Sequence, residues 1–211
     1  MKVQYLTFGP FQENTYVLSD ETNECVIIDP GCYGSGEQQD LKRLIEDNGL
    51  KPVHLLNTHC HVDHVAGNLF VYETYGLKPQ IHKNDLPVLN SQQRVSEMYG
   101  LPCELSPLPE AFFDEGDKIS FGNTELEVIF TPGHAPGHVV FYHKAQGILI
   151  NGDVLFRGSI GRTDLPLGDH DTLIRSIKTK LFVLPDDTVV YTGHGPETTI
   201  GMEKKSNPFL Q

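Results

Sequence analysis

The sequence predicts a mixed α/β protein, and three features carry that expectation. Short runs rich in β-branched and aromatic residues recur along the chain, separated by turn residues. An amphipathic segment after the third run places a helix among these strands. Several later apolar runs stop abruptly at a histidine or an aspartate beside a glycine, as strands do where α/β sheets gather their functional groups.

The elements follow in order. MKVQYLTF (1–8), TYVLSD (15–20) and ECVIID (24–29) read as three strands, the last ending at Asp29-Pro30-Gly31, and a meander is the simplest arrangement. GSGEQQDLKRLIEDNG (34–49) spaces Leu41, Leu44 and Ile45 for one helical face and closes with Gly49. VHLLN (53–57) reads as a buried strand, and NLFVYETYG (68–76) as a second helix. Residues 84–100, NDLPVLNSQQRVSEMYG, read as helical, whereas the Pro-rich LPCELSPLPEAFFDEGD (101–117) reads as a loop. KISF, TELEVIF, HVVFYH and GILI restore the strand theme, a helix runs from Asp171 to about Phe182, and TVVY closes the β pattern.

Bulk properties narrow the function classes. A length of 211 residues falls between one and two domains, and 38% hydrophobic residues suffice for a core. Neither a leader-like start nor an apolar run of membrane-spanning length is visible, so a cytoplasmic protein with no membrane partner is expected. Cys25, Cys32, Cys60 and Cys103 form no C-x-x-C pair and are expected as free thiols. The net charge of -12, with no cationic run beyond Lys204-Lys205, argues against a nucleic-acid surface, which needs clustered cations to neutralise phosphates. An anionic ligand would need a local basic contact against this field.

The densest chemistry lies in NTHCHVDHVAG (57–67), which sets three of the ten histidines and an aspartate within six positions. In extended backbone His59 and His61 point the same way, so both can grip one metal while Cys60 points elsewhere. As the chain turns towards the helix near Asn68, Asp63 and His64 can face a second. Imidazole with carboxylate suits zinc and is also accepted by iron and manganese. Three further strand ends offer ligands: TELEVIFTPGH ends at His134, GILINGD at Asp153 and TVVYTGHG at His194. Each alone has a bland reading, as a turn, cap or surface residue, whereas together they suggest one shared edge.

T-H-C-H-V-D-H with downstream His134, Asp153 and His194 resembles the metallo-β-lactamase superfamily, most closely its glyoxalase II-like hydrolase branch. GSIGRTDLPLGD, GHGPETTIG and the closing NPFL are similar to segments of its small single-domain members. The resemblance implies a four-layer αββα sandwich formed by a single domain over 1–211. It implies two divalent metals, zinc foremost with iron or manganese as the other candidates. His59, His61 and His134 would hold the first metal, Asp63, His64 and His194 the second, and Asp153 would bridge them, with Asp63 and Asp153 serving the catalytic step.

The implied activity is that of a hydrolase acting through a metal-bridging hydroxide on a small-molecule thioester, as hydroxyacylglutathione hydrolases do. A paired metal site lowers the pKa of its water towards about 7, and a thiol with a pKa near about 8.5 departs as thiolate without a strong general acid. The alternative is a mononuclear iron persulfide dioxygenase of the same fold. An antibiotic-hydrolysing role is not expected, and the short stretch after His194 is not expected to supply the helical region with which longer members grip glutathione.

Other residues carry two readings each. Cys60 reads as a packed thiol in preference to a ligand, and His138 either as a partner behind a ligand or as a turn histidine. Arg162 is the candidate substrate contact, through a carboxylate, although an ion pair with Asp164 is an equal reading. Asn14 and Tyr16 read as structural, and His54, His82, His143 and His170 as surface or packing residues.

Overall fold

β-Branched and aromatic residues fill Lys2–Phe8 (β1), Glu13–Ser19 (β2) and Glu24–Ile28 (β3), which pair antiparallel as the meander that the sequence predicts. Tyr5 faces Tyr16 across β1 and β2, and Val17 faces Ile27 across β2 and β3. The computed structural model describes residues 1–101 and 103–211. These divide into two compact units, Met1–Phe113 with Ser120–Glu125 and Asp114–Ile119 with Leu126–Gln211.

In the first unit Gly34–Asp47 (α1) carries the chain from β3 to Lys51–Leu56 (β4), which pairs parallel with β3. The connection is a helical crossover, as a parallel pair requires. Leu41 and Ile45 of α1 are fully buried with Val17, Ile27, Leu55 and Val71, and this apolar face is what holds the helix on its sheet. Val62–Val65 (α2), Asn68–Tyr75 (α3), Pro79–His82 (β5), Leu86–Leu89 (α4), Gln92–Tyr99 (α5) and Ala111–Phe113 (β6) follow. The sheet order is β1-β2-β3-β4-β5-β6.

Two sequence expectations change here. The helix expected over 84–100 is broken, because Ser91 turns its hydroxyl back onto the Val88 carbonyl and Asn90 closes the first piece. The loop expected over 101–117 contains β6, held by parallel pairing of Ile81 with Phe112, and β5 was not foreseen. Both strands are too short to show a period of their own. Pro102 of that loop lies outside the described residues.

The second sheet contains Lys118–Phe121 (β7), Thr124–Phe130 (β8), Val139–His143 (β9), Ile148–Ile150 (β10), Val189–Tyr191 (β13) and Thr198–Thr199 (β14), in the order β14-β13-β10-β9-β8-β7. Leu155–Phe156 (β11) and Ser159–Ile160 (β12) form a small separate ribbon. His170–Ser176 (α6) starts at Asp169, whose carboxylate caps the Thr172 amide at 2.7 Å, and continues through a π turn over Ile177–Leu181. Leu173, Ile177 and Leu181 pack with Leu149, Leu155 and Val190 in the core of the second unit. The closing helix Ile200–Ser206 (α7) was not foreseen; Thr199 caps it, and buried Glu203 ties it inward.

Strand direction places the functional ends of this sheet. β8 and β10 are each antiparallel to β9, and β13 is parallel to β10. β8, β10 and β13 therefore run the same way, and all three release the chain at one edge. Among the described residues no helix is long and apolar enough to cross a membrane.

Candidate metal centre

Because β3 and β4 are parallel, Ile28 and Leu56 finish side by side, and the chain leaves both strands at one edge. Asp29 follows β3 in a left-handed conformation, φ 50°, with its buried carboxylate facing the residues after β4. The Thr58 amide donates to Asp29 Oδ1 at 2.7 Å, and the Thr58 hydroxyl to Oδ2 at 2.5 Å. His64 Nδ1 lies 3.1 Å from the same Oδ2. One carboxylate thus fixes both ends of the histidine segment.

The rings then gather. His59 and His61 centroids are 4.7 Å apart and nearly perpendicular, and His59 and His64 are 4.1 Å apart. Asp63 and His64 lie in the first turn of α2, a helix beginning at Val62, earlier than the expected helical start near Asn68. Asp63 Oδ2 is 3.9 Å from His64 Nε2. Asn57 braces the turn by donating to the His64 carbonyl at 3.0 Å, and the Cys60 amide donates to Asp85 at 2.6 Å. Cys60 itself is buried with Val65, Ile81 and Leu89. Burial, reinforced by Asp85, raises its thiol well above the usual range, which keeps it protonated and fits the packing reading.

Beneath His64 lies a residue that sequence reasoning missed. Glu13 is 1% exposed, accepts from the Thr15 hydroxyl at 2.8 Å, and brings Oε1 to 3.9 Å from His64 Nδ1. Burial raises its carboxyl well above the usual value, opposed by His64 and aided by Asp29. Gly31 leaves room for it, since a Cβ there would stand 2.1 Å from Glu13 Oε2.

The second unit assembles the other three candidates at the shared edge of β8, β10 and β13. Asp153 Oδ2 lies 3.5 Å from His134 Nε2 and 3.4 Å from His194 Nε2. One carboxylate oxygen is thus close to both imidazole nitrogens. His134 Nδ1 donates to the Arg162 carbonyl at 2.7 Å, which orients Nε2 towards Asp153. Gly161 permits that approach, because a Cβ there would meet the Asp153 carbonyl at 1.9 Å and His134 Nδ1 at 3.2 Å. His138, fully buried, accepts from the Asp153 amide through Nε2 at 3.0 Å. His138 is therefore bonded to the backbone of the candidate ligand Asp153.

Arg162 meets Asp164. Its guanidinium pairs with Asp164 through two bonds of 2.7 and 2.8 Å, and this hydrogen bonding holds the Asp164 carboxyl down at about 2. The internal ion pair is therefore the reading realised, and the contribution of GRTD to His134 comes through backbone. The closing NPFL segment is explained similarly: Asn207 donates to the Ser159 carbonyl at 2.9 Å, and Glu203 accepts from the Gly158 amide at 3.0 Å, both just ahead of Gly161. Asn14 and Tyr16 are buried in β2 as structural residues, and His54 bonds Gln80 and the Ser120 carbonyl.

Asp29, Glu13, Asp85 and Gly161 were missed as site residues. Asp29 carried a usable signal, since it ends a strand as Asp153 does. Glu13 and Asp85 carried none, because burial of a single carboxylate is decided by packing. The donor sets suit a metal. His59, His64 and His134 each have Nδ1 engaged, by Thr58, Asp29 and Arg162, so Nε2 is the nitrogen that each could offer to a metal.

Comparison with known proteins decides the family. The metallo-β-lactamase superfamily model matches residues 8–194. The chain belongs to the metallo-β-lactamase superfamily. Its match to hydroxyacylglutathione hydrolase GloC of Haemophilus influenzae has 39% identity and covers 100% of this chain and 98% of that protein. Among solved structures it is similar to BLEG-1 B3 metallo-β-lactamase, with a TM-score of 0.90, 36% identity and all of both chains covered. It is also similar to TTHA1623 in a di-iron-bound form, with a TM-score of 0.89, 40% identity and 99% and 100% of the two chains covered. The mixed α/β fold with two main sheets is thus of the metallo-β-lactamase type, as the histidine motif implied.

Proposed function

We propose that this metallo-hydrolase is a dinuclear thioesterase of the hydroxyacylglutathione hydrolase type, acting on a small-molecule thioester in the cytoplasm. The observation that carries the reading is Asp153 Oδ2 at 3.5 and 3.4 Å from the Nε2 atoms of His134 and His194. Identity of 39% to GloC along the whole chain supports the substrate class, and the free thiols of Cys25, Cys32, Cys60 and Cys103 support a reducing compartment.

His59, His61 and His134 would hold one divalent metal, and Asp63, His64 and His194 the other, with Asp153 shared between them. Zinc is the proposed pair, and iron, which TTHA1623 binds, uses the same donor types. When bound, the pair supplies a hydroxide nucleophile at neutral pH and stabilises the oxyanion that forms on the thioester carbonyl. The chain's own groups keep this geometry fixed. Asp29 and the Arg162 carbonyl hold the Nδ1 protons of His64 and His134, so neither ring can turn or change tautomer. His138 holds the Asp153 backbone. The leaving thiolate needs no general acid, which fits a site whose acid-base groups serve as ligands.

The test is metal analysis of purified protein together with release of thiol from a glutathione thioester, oxygen uptake with glutathione persulfide, and hydrolysis of a chromogenic β-lactam. Two metals per chain with thiol release are expected, and Asp153→Ala should lose both. Oxygen uptake with a single iron and no thiol release would replace this reading by the dioxygenase. Turnover of the β-lactam alone would replace it by the activity named for BLEG-1.

A further inference from the structure

A buried carboxylate in the second unit stands apart from the candidate metal ligands yet is bonded to the strand turn that leads to them. Glu203 of α7 is 1% exposed. Its Oε1 accepts from the Thr198 hydroxyl, and its Oε2 accepts from the Gly158 amide at 3.0 Å and from the Asn207 side-chain nitrogen at 2.8 Å. The same nitrogen of Asn207, a fully buried residue, donates to the Ser159 carbonyl at 2.9 Å. Burying such polar groups is unfavourable unless they are bonded, and these bonds converge on one place, the turn at Gly158 and Ser159. Ile200 and Leu210 anchor the helix and the segment after it in the apolar core, so the polar set serves the turn.

That turn needs outside support. β11 and β12 pair over two residues each, Leu155 with Ile160 and Phe156 with Ser159, and a two-stranded ribbon is marginal by itself even when longer. Leu155 and Ile160 pack on the core, which sets the depth of the ribbon but, being non-directional, not its tilt. The hydrogen bonds with Glu203 and Asn207 supply the direction. Both ends of the ribbon run into the candidate metal centre. Asp153 precedes β11, and Gly161 follows β12, donating its amide to the Val154 carbonyl at 3.1 Å. The next residue, Arg162, presents the carbonyl that accepts from His134 Nδ1 at 2.7 Å. Gly161 lies so close to the Asp153 carbonyl that a Cβ would stand 1.9 Å from it, so a shift of one is passed to the other.

We propose that Glu203 and Asn207 are positioning residues for His134 and Asp153. They fix the β11–β12 turn, the turn fixes the Arg162 carbonyl, and the carbonyl fixes the ring whose Nε2 lies 3.5 Å from Asp153 Oδ2. The inference rests on the two-metal reading above and is independent of the substrate. Bonding, not charge, holds the turn. Glu203→Gln can keep every bond, because its carbonyl oxygen accepts from Gly158 and Asn207 while its nitrogen donates to the Thr198 oxygen. Glu203→Leu keeps the bulk and the helix propensity and loses all of them. Asn207→Ala removes the link to Ser159 and leaves Glu203 bonded to Thr198 and Gly158.

The experiment reads two quantities in the full-length parent and these three variants. In metal-free protein, NMR of labelled histidine rings follows solvent exchange of the His134 Nδ1 proton, with His64, whose Nδ1 faces Asp29, as the internal reference. Zinc affinity is then measured by competition with a chelator. In Glu203→Leu and Asn207→Ala the His134 proton should exchange about tenfold faster, the opening expected from one lost hydrogen bond, while the His64 proton keeps its rate. Zinc affinity should fall about tenfold, the low end of the roughly 10–100-fold that follows loss of a ligand's direct partner. Glu203→Gln should keep both at parental values. Equal acceleration of both protons marks a general loss of stability; that result, or parental exchange and zinc affinity in Glu203→Leu and Asn207→Ala, overturns the positioning role. A loss in Glu203→Gln as large as in Glu203→Leu overturns it as well, since the bonds would not be what acts. Should Glu203→Leu fail to fold, Asn207→Ala decides. Selective loosening of His134 in the variants of a parent that binds one zinc ion or none upholds the tie and overturns the two-metal reading.

Discussion

Removal of the Asp29 carboxylate should unfasten the histidine segment, and its cost can be worked from three bonds. Asp29→Ala takes the acceptor at 2.7 Å from the buried Thr58 amide and the one at 3.1 Å from His64 Nδ1, whose next carboxylate, Glu13, is 3.9 Å away, while the Thr58 hydroxyl can rotate. Each stranded donor costs about 1–3 kcal/mol, so the variant should lose about 2–6 kcal/mol, a large share of the roughly 5–15 kcal/mol a domain has. Alanine also tolerates the positive φ at this position less well than aspartate or asparagine does. Asp29→Asn keeps one acceptor and the backbone tolerance, so it should lose about half as much. Because Asp29 sets the tautomer of His64, metal affinity should fall about 10–100-fold in both. Urea denaturation of metal-free protein reads the first quantity, and titration against a competing chelator the second. An alanine variant with the parental midpoint and parental metal affinity would refute the bracing role.

Other predictions concern the second unit and the surface. Gly161→Ala must displace the Asp153 carbonyl from a 1.9 Å overlap, and a misplacement of about 1 Å at a reactive centre costs on the order of 100-fold, so kcat/KM should fall by about that much. Parental kinetics would show that the loop has room. Arg162→Ala removes a solvent-screened, exposed pair and leaves the carbonyl that orients His134, so metal content, Tm and kcat should stay near parental values. A large loss of kcat would assign the guanidinium a role in the transition state. At Asp20, burial favours the protonated acid, but hydrogen bonds from Thr22, Asn123 and Thr124 prevail and lower the pKa from 3.8 to about 2. A depressed carboxylate stabilises the fold above its unfolded pKa and loses that contribution as pH falls through its folded one. The stability difference between the parent and Asp20→Asn should therefore persist from neutral pH to about pH 4, shrink as pH falls towards the folded pKa of about 2, and vanish only below it. A difference independent of pH would contradict the assignment.

Much of the molecule was legible from residue order, because those features depend on neighbours in the chain. The β1 to β3 meander, α1 and β4 followed from local pattern and turn chemistry, and the histidine segment followed from spacing. His134, Asp153 and His194 were found as strand ends, and their convergence was legible once β8, β10 and β13 proved to run in one direction. What the sequence by itself could not decide depends on partners distant along the chain. β5 and β6 exist because parallel neighbours supply their hydrogen bonds. Arg162 pairs with Asp164, and its carbonyl takes a role that was not foreseen, since a backbone acceptor at 2.7 Å from His134 is set by the approach of Gly161 to Asp153. Glu13 and Asp29 look like ordinary acids in sequence. Only tertiary packing takes them out of water and brings the donors that make Asp29 a brace and Glu13 the buried neighbour of His64.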